Sequence, residues 1–372
     1  MSLALYRKYR PQTFAEIIGQ EHVVKTLSNA IFSGRITHAY LFSGPRGCGK
    51  TTIARILTKA VNCQNRKEGQ FEPCNQCSSC REINEGRAMD LLEIDAASHR
   101  GIDEIRELID GIKFVPTKLK YKVFIVDEAH QLTKEAFNAL LKTLEEPPSH
   151  AIFILATTEI HKMIPTIISR CQRFDFRKLI LPEILQRLEL ICKKEKSNFQ
   201  KSALELIALN STGSLRDAES LLGQALTFTS GLNREVKAED IKDLLGLVGI
   251  ELVSKFTDFL CQKKAKEAVN FLNEILEKGL DPQEFSKSLI NYLRQALILK
   301  IIGSDSVSNP IITGLTKEEF AKLQEQSAAF KENELQKILN LFLEAQNKIR
   351  YSPIPQLPLE LATIEAIGLT NS

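Results

Sequence analysis

The first half of the chain alternates short apolar runs with amphipathic segments. Residues 51–61 and 138–146 have helical spacing, and Pro147-Pro148 stops the second segment. Three continuous apolar runs are typical of strands buried on both faces: Ala39-Tyr40-Leu41-Phe42, Val123-Phe124-Ile125-Val126 and Ile152-Phe153-Ile154-Leu155-Ala156. Strands and helices that alternate in this way, up to about Arg177, predict a parallel sheet with helices on both faces.

The pattern changes from Leu181 onward, where strand-like runs stop and helical spacing takes over. Residues 182–193 and 202–209 are predicted helices, and Ser202 with Glu205 fits a capping box at the start of the second. This stretch therefore predicts a small, helical second part of the molecule.

A third part, from about Lys237, is predicted to be helical as well. Residues 281–284 (Asp-Pro-Gln-Glu) and 316–319 (Thr-Lys-Glu-Glu) are good helix starts. Further on, Leu335, Leu339 and Phe342 share one apolar face of a predicted helix.

A glycine-rich segment lies between the first predicted strand and the helix over residues 51–61. It fits the phosphate-binding pattern G-x-x-x-x-G-K-[ST], in which backbone N–H groups surround phosphate oxygens. Lys50 is expected to reach the β- and γ-phosphates of a nucleotide, and Thr51 to bind Mg²⁺. The alternative is a plain glycine-rich turn. The predicted nucleotide-binding residues here are Gly44, Pro45, Arg46, Gly47, Cys48, Gly49, Lys50, Thr51 and Thr52.

Acidic residues follow the second apolar run, at the edge where parallel-sheet sites open. Asp127 is expected to hold Mg²⁺, through water or Thr51, and Glu128 to orient the attacking water. The third run ends in Thr157-Thr158, where a hydroxyl is placed to sense the γ-phosphate. The alternatives are solvated strand-end acids and a threonine that merely satisfies a turn.

Two arginines lie at positions where a guanidinium can act on phosphate. Arg170, in Ser169-Arg170-Cys171, is placed to complete a neighbouring subunit's site as a finger, and Arg216 begins a predicted helix in the second part. From the residues alone, a solvated or ion-paired surface arginine is the favoured interpretation of each.

Four cysteines have the spacing C-x10-C-x2-C-x2-C: Cys63, Cys74, Cys77 and Cys80. Four nearby thiolates suit a tetrahedral Zn²⁺ with no open position, which predicts a structural metal. A redox dithiol and four unrelated thiols remain as alternatives. The other cysteines are dispersed.

Composition narrows the class without identifying a partner. The chain of 372 residues is 43% hydrophobic, with a formal net charge of only +3, so nucleic acid is neither required nor excluded. No apolar run is long enough to span a membrane, and the basic residues right after Leu5 do not fit a signal peptide. We expect a cytoplasmic protein that does not bind membranes.

These motifs together resemble the gamma/tau subunits of the bacterial DNA polymerase III clamp loader, which are AAA+ ATPases. The resemblance is carried by residues 6–11 (Tyr-Arg-Lys-Tyr-Arg-Pro), 44–51, the four-cysteine insert, 127–130 (Asp-Glu-Ala-His), 141–148, 169–171 and 213–218. It implies an α/β fold in which a P-loop AAA+ domain (1–178, zinc insert at about 62–82) is followed by a helical lid (179–240) and an all-α collar (241–372).

The resemblance also implies roles for particular residues. Arg170 acts in trans on the neighbouring subunit's ATP, and Arg216 contacts the γ-phosphate. Thr157 is the first sensor, with Thr158 the alternative. Arg7 and Pro11 lie near the adenine.

The function implied is an ATPase that uses ATP and Mg²⁺ to load a sliding clamp onto primer–template DNA, as one subunit of a hetero-oligomeric ring. An ATP-gated scaffold with little hydrolysis and another AAA+ DNA motor, such as a branch-migration helicase, are the alternatives. Longer members carry a basic, proline-rich tail that joins helicase and polymerase. This sequence ends at Ser372 without one, so coupling to either partner is left open.

Overall fold

The computed structural model describes residues 3–98, 110–112, 114–229, 234–245, 249–302 and 317–369. The chain forms two compact units, Met1–Glu235 and Val236–Ser372. Within the described ranges, no helix has both the length and the apolar character needed to cross a bilayer.

The first unit is built on a five-stranded sheet in the order β2-β3-β4-β1-β5. Every neighbouring pair of strands is parallel, as the sequence predicts. The carboxyl ends of β3, β4 and β1 therefore lie side by side, and the predicted phosphate-binding residues follow these ends. The strands are β1 Ala39–Ser43, β2 Leu91–Asp95, β3 Lys122–Asp127, β4 Ala151–Thr157 and β5 Gln172–Asp175.

Burial explains which strands the sequence reveals. Strands β1 and β4 are buried along their whole length, and β3 is buried through its apolar centre. Strands β2 and β5 form the two edges, are only partly buried and carry charged residues, so their apolar signal is weak. The hydrophobic pattern does not predict either edge strand.

Helices cover the sheet and connect its parallel strands. Helix α3 follows β1 directly, as predicted, whereas α5 begins four residues before the predicted segment, because the Thr133 hydroxyl caps it by accepting the Ala136 N–H. These helices are α1 Leu5–Lys8, α2 Glu21–Phe32, α3 Lys50–Asn62, α4 Ser78–Asn84, α5 Lys134–Glu145 and α6 Pro165–Ile168.

Three further helices complete the first unit, and we call them the lid: α7 Leu181–Glu195, α8 Lys201–Asn210 and α9 Leu215–Phe228. The predicted capping box at Ser202 is wrong. Helix α8 begins at Lys201 with Gln200 as its N-cap, so Ser202 already lies in the first turn and its hydroxyl is not in the capping position.

The second unit is helical in every described element. Its helices are α10 Ala238–Leu244, α11 Ile250–Cys261, α12 Ala265–Glu277, α13 Pro282–Ile302, α14 Lys317–Ala329, α15 Glu332–Ile349 and α16 Leu357–Leu369.

One apolar core joins helices α11 to α16 of the second unit. Leu335 and Phe342 are fully buried in it, and Leu339 packs against it, as the predicted apolar face requires. The Asp281 carboxylate accepts the N–H groups of Gln283 and Glu284 at 2.7 and 3.0 Å, so this predicted helix start is confirmed. Helix α14 begins at Lys317, next to the second predicted start, and Thr316 lies outside the described residues.

Candidate functional site

The turn between β1 and α3 is shaped by glycine. Gly49 caps α3 with φ +103°, and Gly47 has φ +75°, both in the left-handed region that favours glycine. A Cβ on Gly47 would also collide with the Ser214 hydroxyl of the lid. The turn thus presents its N–H groups at a helix N-terminus, which is a ready-made site for phosphate.

Lys50 begins α3 and folds back over this turn. Its side-chain nitrogen donates to the carbonyl oxygens of Gly44 and Pro45 at 2.7 and 2.8 Å, and the residue is 6% exposed. The ammonium group is therefore held beside the loop that is predicted to bind phosphate, with carbonyl partners that satisfy it.

Two side chains from different elements meet next to the loop. The Thr51 hydroxyl donates to one Asp127 carboxylate oxygen at 2.7 Å, and the other oxygen accepts the Glu128 N–H at 3.0 Å. A hydroxyl and a carboxylate so close together are the oxygen ligands that Mg²⁺ prefers. The predicted pair of Mg²⁺ ligands is therefore brought together in space.

Glu128 has the strained backbone expected of a functional position. Its φ of +48° is unusual for a residue with a side chain. One carboxylate oxygen accepts the Thr158 hydroxyl at 2.8 Å and lies 3.5 Å from Nδ1 of His130. Sequence reasoning did not assign a role to His130, which is almost completely buried beside this glutamate.

The two adjacent threonines at the end of β4 face different surroundings, since successive strand side chains point to opposite faces. Thr157 is 0% exposed. Its hydroxyl lies 3.0 Å from Nδ1 of His130 and accepts the Glu159 N–H at 3.0 Å. Thr158 instead reaches Glu128. Neither threonine lines the cavity described next, but Thr158 contacts Glu128, which does.

A cavity of about 1120 Å³ opens at the carboxyl edge of the sheet, entirely within the first unit. Gly44, Pro45, Thr157, Thr158 and Arg170 do not line it. Of the predicted site residues it is lined by Arg7, Pro11, Arg46, Gly47, Cys48, Gly49, Lys50, Thr51, Thr52, Asp127, Glu128 and Arg216.

One wall of the cavity is the N-terminal segment 5–16, which we call the strap. Arg7 and Pro11 were predicted here, and Tyr6, Arg10 and Gln12 line the same wall without having been predicted. Burial lowers the pKa of Arg10, and the neighbouring Arg55 acts in the same direction. The strap therefore adds positive charge to a site that already contains Lys50.

The lid closes another side of the cavity. The Leu215 N–H donates to the Gly47 carbonyl at 3.2 Å, so the start of α9 touches the glycine turn directly. Arg216, the next residue, lies with its guanidinium 4.8 Å from the centre of the Tyr6 ring, and hydrogen bonding to it lowers the pKa of the Tyr6 hydroxyl. Arg216 is thus at a helix start and faces the cavity, as predicted.

A buried ion pair also fastens the strap to the lid. Arg187 of α7 donates to Glu219 of α9 at 2.8 Å, with both side chains 5% exposed, and to the Tyr9 carbonyl. Lys8 pairs with Glu195 at 2.7 Å nearby. Nothing local in the sequence indicates the contacts between strap and lid, because their partners lie 178 and 187 positions apart.

Arg170 lies on the surface, outside the cavity. It follows α6, and its guanidinium donates to the Glu145 carboxylate at 2.5 Å and to the Thr166 carbonyl at 2.8 Å. Its side chain is 34% exposed and that of Glu145 is 49% exposed. In the single chain, Arg170 is therefore an accessible, ion-paired arginine.

The four predicted cysteines converge. The sulfur atoms of Cys63, Cys74, Cys77 and Cys80 all lie within 4.8 Å of one another. Burial raises the pKa of Cys74, but the N–H groups of Gln76 and Cys77, together with the side chains of Cys63 and Cys77, lower it to about 6. Sulfurs that accept backbone N–H groups and gather around one point fit a Zn²⁺ ion, with Zn–S distances of about 2.3 Å.

Three family models match consecutive parts of the chain. Residues 19–180 match the model described as DNA polymerase III, delta subunit. Residues 183–231 match the ATPase lid domain of the DNA polymerase III clamp loader subunit, and residues 236–371 match domain III of DNA polymerase III subunits gamma and tau.

Curated relatives agree with these models. The chain is 44% identical to DNA polymerase III subunit tau of Bacillus subtilis, over 97% of this chain and 62% of that protein. It is 38% identical to DNA polymerase III subunit gamma of Buchnera aphidicola from Acyrthosiphon pisum, over 98% of each chain. The chain thus spans less than two thirds of the first relative. Among solved structures, RuvB of Thermotoga maritima is 20% identical, over 68% of this chain and 78% of that one, with a TM-score of 0.49.

A glycine-rich loop at a central parallel strand, closed by a helical lid, gives the first unit the fold of the AAA+ class of P-loop proteins. The match to the Buchnera gamma subunit, which covers 98% of both chains, identifies the family within this class. The chain belongs to the gamma/tau family of DNA polymerase III clamp-loader subunits.

Proposed function

We propose that this chain is an ATP-driven subunit of the clamp loader of a bacterial replicative polymerase. ATP binding organises the subunit ring and opens a sliding clamp, and primer–template DNA triggers hydrolysis and release. The observation that carries the proposal is the Thr51–Asp127 contact of 2.7 Å beside Glu128, in a cavity walled by the lid. ATP and ADP states do work only if they differ in affinity for clamp and DNA.

Each group in the cavity has a proposed task. Lys50 and the N–H groups of the glycine turn bind the β- and γ-phosphates. Thr51 and Asp127 hold Mg²⁺, which neutralises charge on the phosphate oxygens. Glu128 accepts a proton from the attacking water or orients it. Arg216, on the lid, contacts the γ-phosphate and links lid position to nucleotide state.

We assign the first sensor to Thr158 rather than Thr157. The Thr158 hydroxyl already contacts Glu128, whereas the Thr157 hydroxyl is buried and engaged by His130 and Glu159. A residue that senses the γ-phosphate must reach the groups around it, and Thr158 is the better placed of the two.

The proposed partners follow from the family. They are other clamp-loader subunits in a hetero-oligomeric ring, a sliding clamp and primer–template DNA. In this proposal, residues 1–178 are the ATPase domain, 179–240 the lid and 241–372 the collar through which subunits assemble. The first compact unit, Met1–Glu235, contains the first of these predicted domains and all but the last five residues of the second.

The test is an ATPase assay on a reconstituted ring. Turnover should be low for the subunits alone and should rise when the clamp and primer–template DNA are both present. Turnover that does not change when the clamp and primer–template DNA are added would contradict a clamp loader. Stimulation by four-way DNA junctions alone would favour a branch-migration motor.

An ATP-gated scaffold is the second candidate function. It needs a phosphate loop but no group to polarise water, so Glu128, held beside Asp127 by a strained backbone, argues against it.

Glu128→Gln should separate binding from hydrolysis. The amide keeps the shape of the side chain but cannot accept a proton, so we expect ATP affinity to be nearly unchanged and turnover to fall by about 10²–10⁴-fold. Nucleotide titration and single-turnover hydrolysis measure the two effects. Glu135→Gln, at an exposed position on α5, is the matched control. Normal turnover in Glu128→Gln would assign the water-orienting role to another residue.

The purified, reduced chain should contain about one Zn²⁺, held by Cys63, Cys74, Cys77 and Cys80. Cys77→Ser removes one ligand, and we expect it to lose the metal and to loosen the insert more than the ATPase core. Elemental analysis and thiol titration check this, with Cys261→Ser in the second unit as control. Freely reactive thiols and no zinc in the freshly prepared protein would contradict the metal site.

A further inference from the structure

The segment between the cysteines holds one end of the strap. Both carboxylate oxygens of Glu72 accept strap N–H groups, from Phe14 at 2.9 Å and from Ala15 at 2.8 Å. The ring of Phe71 also contacts that of the buried Phe14, with centroids 6.4 Å apart. None of these contacts is needed to gather the four thiols, so the insert does more than fold around its own cysteines.

A second connection runs through a buried lysine of α3. The Lys59 ammonium donates to the Gln12 carbonyl, the Gln12 side chain and the Asn75 side chain at 2.8, 2.7 and 2.7 Å, and it is 1% exposed. Asn75 also donates to the Gln12 carbonyl at 3.2 Å. A buried ammonium group is costly unless all its hydrogen bonds are made. The side chains of Lys59, Gln12 and Asn75 are therefore fixed relative to one another.

The cysteine turn itself fixes Asn75. This residue lies between Cys74 and Cys77 and has a φ of +55°, a conformation that few residues with side chains adopt. A metal that closes the turn between these two thiolates would keep Asn75 in this conformation, and with it the Lys59–Gln12 connection.

The strap residues that the insert holds are next to those that line the cavity. Gln12, which Lys59 and Asn75 hold, lines the cavity together with Pro11, Arg10 and Arg7. The phosphate-binding turn lines the same cavity from a different part of the chain. The family resemblance implies that Arg7 and Pro11 lie near the adenine, so we assign this part of the strap to the nucleoside.

We propose that the four-cysteine insert is a positioning element of the nucleotide site, which acts through Glu72, Asn75 and Lys59 on the strap. When the insert is folded around its metal, the strap is fixed against the nucleoside. When the insert is not folded, bound ATP loses its contacts with the strap but keeps those of its phosphates. The inference rests on the proposed nucleotide site and adds a role for the insert beyond its own stability.

Glu72→Gln tests the connection without touching a cysteine. An amide accepts only through one oxygen, so one of the two strap N–H groups loses its partner. We expect ATP to bind about fivefold more weakly or worse, the lower end of typical coupling between sites. Tripolyphosphate, which lacks the nucleoside, should bind as it does to the unmodified chain. Glu68→Gln, exposed in the same insert, is the matched control.

Two further variants extend the test. Lys59→Met breaks the second connection, and Cys77→Ser breaks the metal site; both should weaken ATP binding and spare tripolyphosphate. Amide hydrogen exchange at residues 12–16 should be faster in all three variants, and zinc content should fall only in Cys77→Ser.

The outcomes are distinguishable. If Glu72→Gln and Lys59→Met bind ATP like the Glu68→Gln control, or if tripolyphosphate binding falls in parallel with ATP binding, the positioning role is wrong. If the unmodified chain binds no ATP, the proposed nucleotide site fails, and this inference fails with it.

Discussion

Lys50→Ala is expected to abolish productive ATP binding while the fold is kept. The ammonium group supplies charge-assisted hydrogen bonds to the β- and γ-phosphates, each worth about 1.5–3 kcal/mol, so the loss of two weakens binding about a hundredfold or more. The fold should survive, because the Lys50 ammonium group hydrogen-bonds to carbonyls of its own turn, those of Gly44 and Pro45. Titration with a fluorescent ATP analogue and a thermal melt measure the two effects.

An exposed lysine on α2, the helix that precedes β1 in the chain, gives the control. Lys25 is exposed on α2, and Lys25→Ala removes the same charge without approaching the cavity. Nucleotide affinity and turnover that match the unmodified chain in a properly folded Lys50→Ala variant would refute the assignment of the phosphate loop.

Arg170→Ala should act on the neighbouring subunit and not on its own. An arginine that stabilises charge on a phosphoryl group in transfer is worth about 10³–10⁵ in rate, so turnover at the adjacent site should fall steeply. The chain's own ATP binding should be unchanged, because Arg170 does not line its own cavity. Its present partner does not oppose this role: an exposed pair such as Arg170–Glu145 is worth only about 0–1 kcal/mol, so assembly can release the guanidinium.

The measurement requires a mixed ring with the variant in a known position and hydrolysis followed site by site. Arg173→Ala, at a nearby exposed arginine on β5, is the control. Arg216→Ala supplies the contrast, since Arg216 lines the cavity of its own chain and should act there. Loss of turnover only in the pocket of the Arg170→Ala subunit, or no loss at all, would leave Arg170 as a surface ion-pair residue.

Local patterns predicted much of this molecule. Strands buried on both faces reveal themselves as unbroken apolar runs, so β1, β3 and β4 were predictable, and the loop between β1 and α3 followed from eight consecutive residues. The cysteine spacing likewise predicted a cluster that the structure assembles. In each case, the residues that define the feature are close together in the sequence.

The features that the sequence did not reveal are contacts between residues far apart in the chain and details that depend on a shift of one or two positions. Glu72 and Arg187 bind the strap from remote parts of the chain, and neither has a distinctive local pattern. Thr157 and Thr158 are chemically identical, and only the direction of β4 tells which hydroxyl is buried. Ser202 had the composition of a cap but fell two residues beyond the cap position, where the backbone is already helical.

The order of the strands has a consequence for how the chain is made. Strand β1 pairs with β4 on one side and β5 on the other, so Ala39 finds its partner only at Phe153. A ribosome that adds about 5–20 residues per second leaves β1 without neighbours for several seconds after its synthesis. The phosphate loop follows β1 directly in the chain, so it can take its final shape only after that interval. ATP cannot assist the early stages of folding, and the nascent chain exposes to chaperones a strand that is buried along its whole length in the finished fold, until β4 emerges.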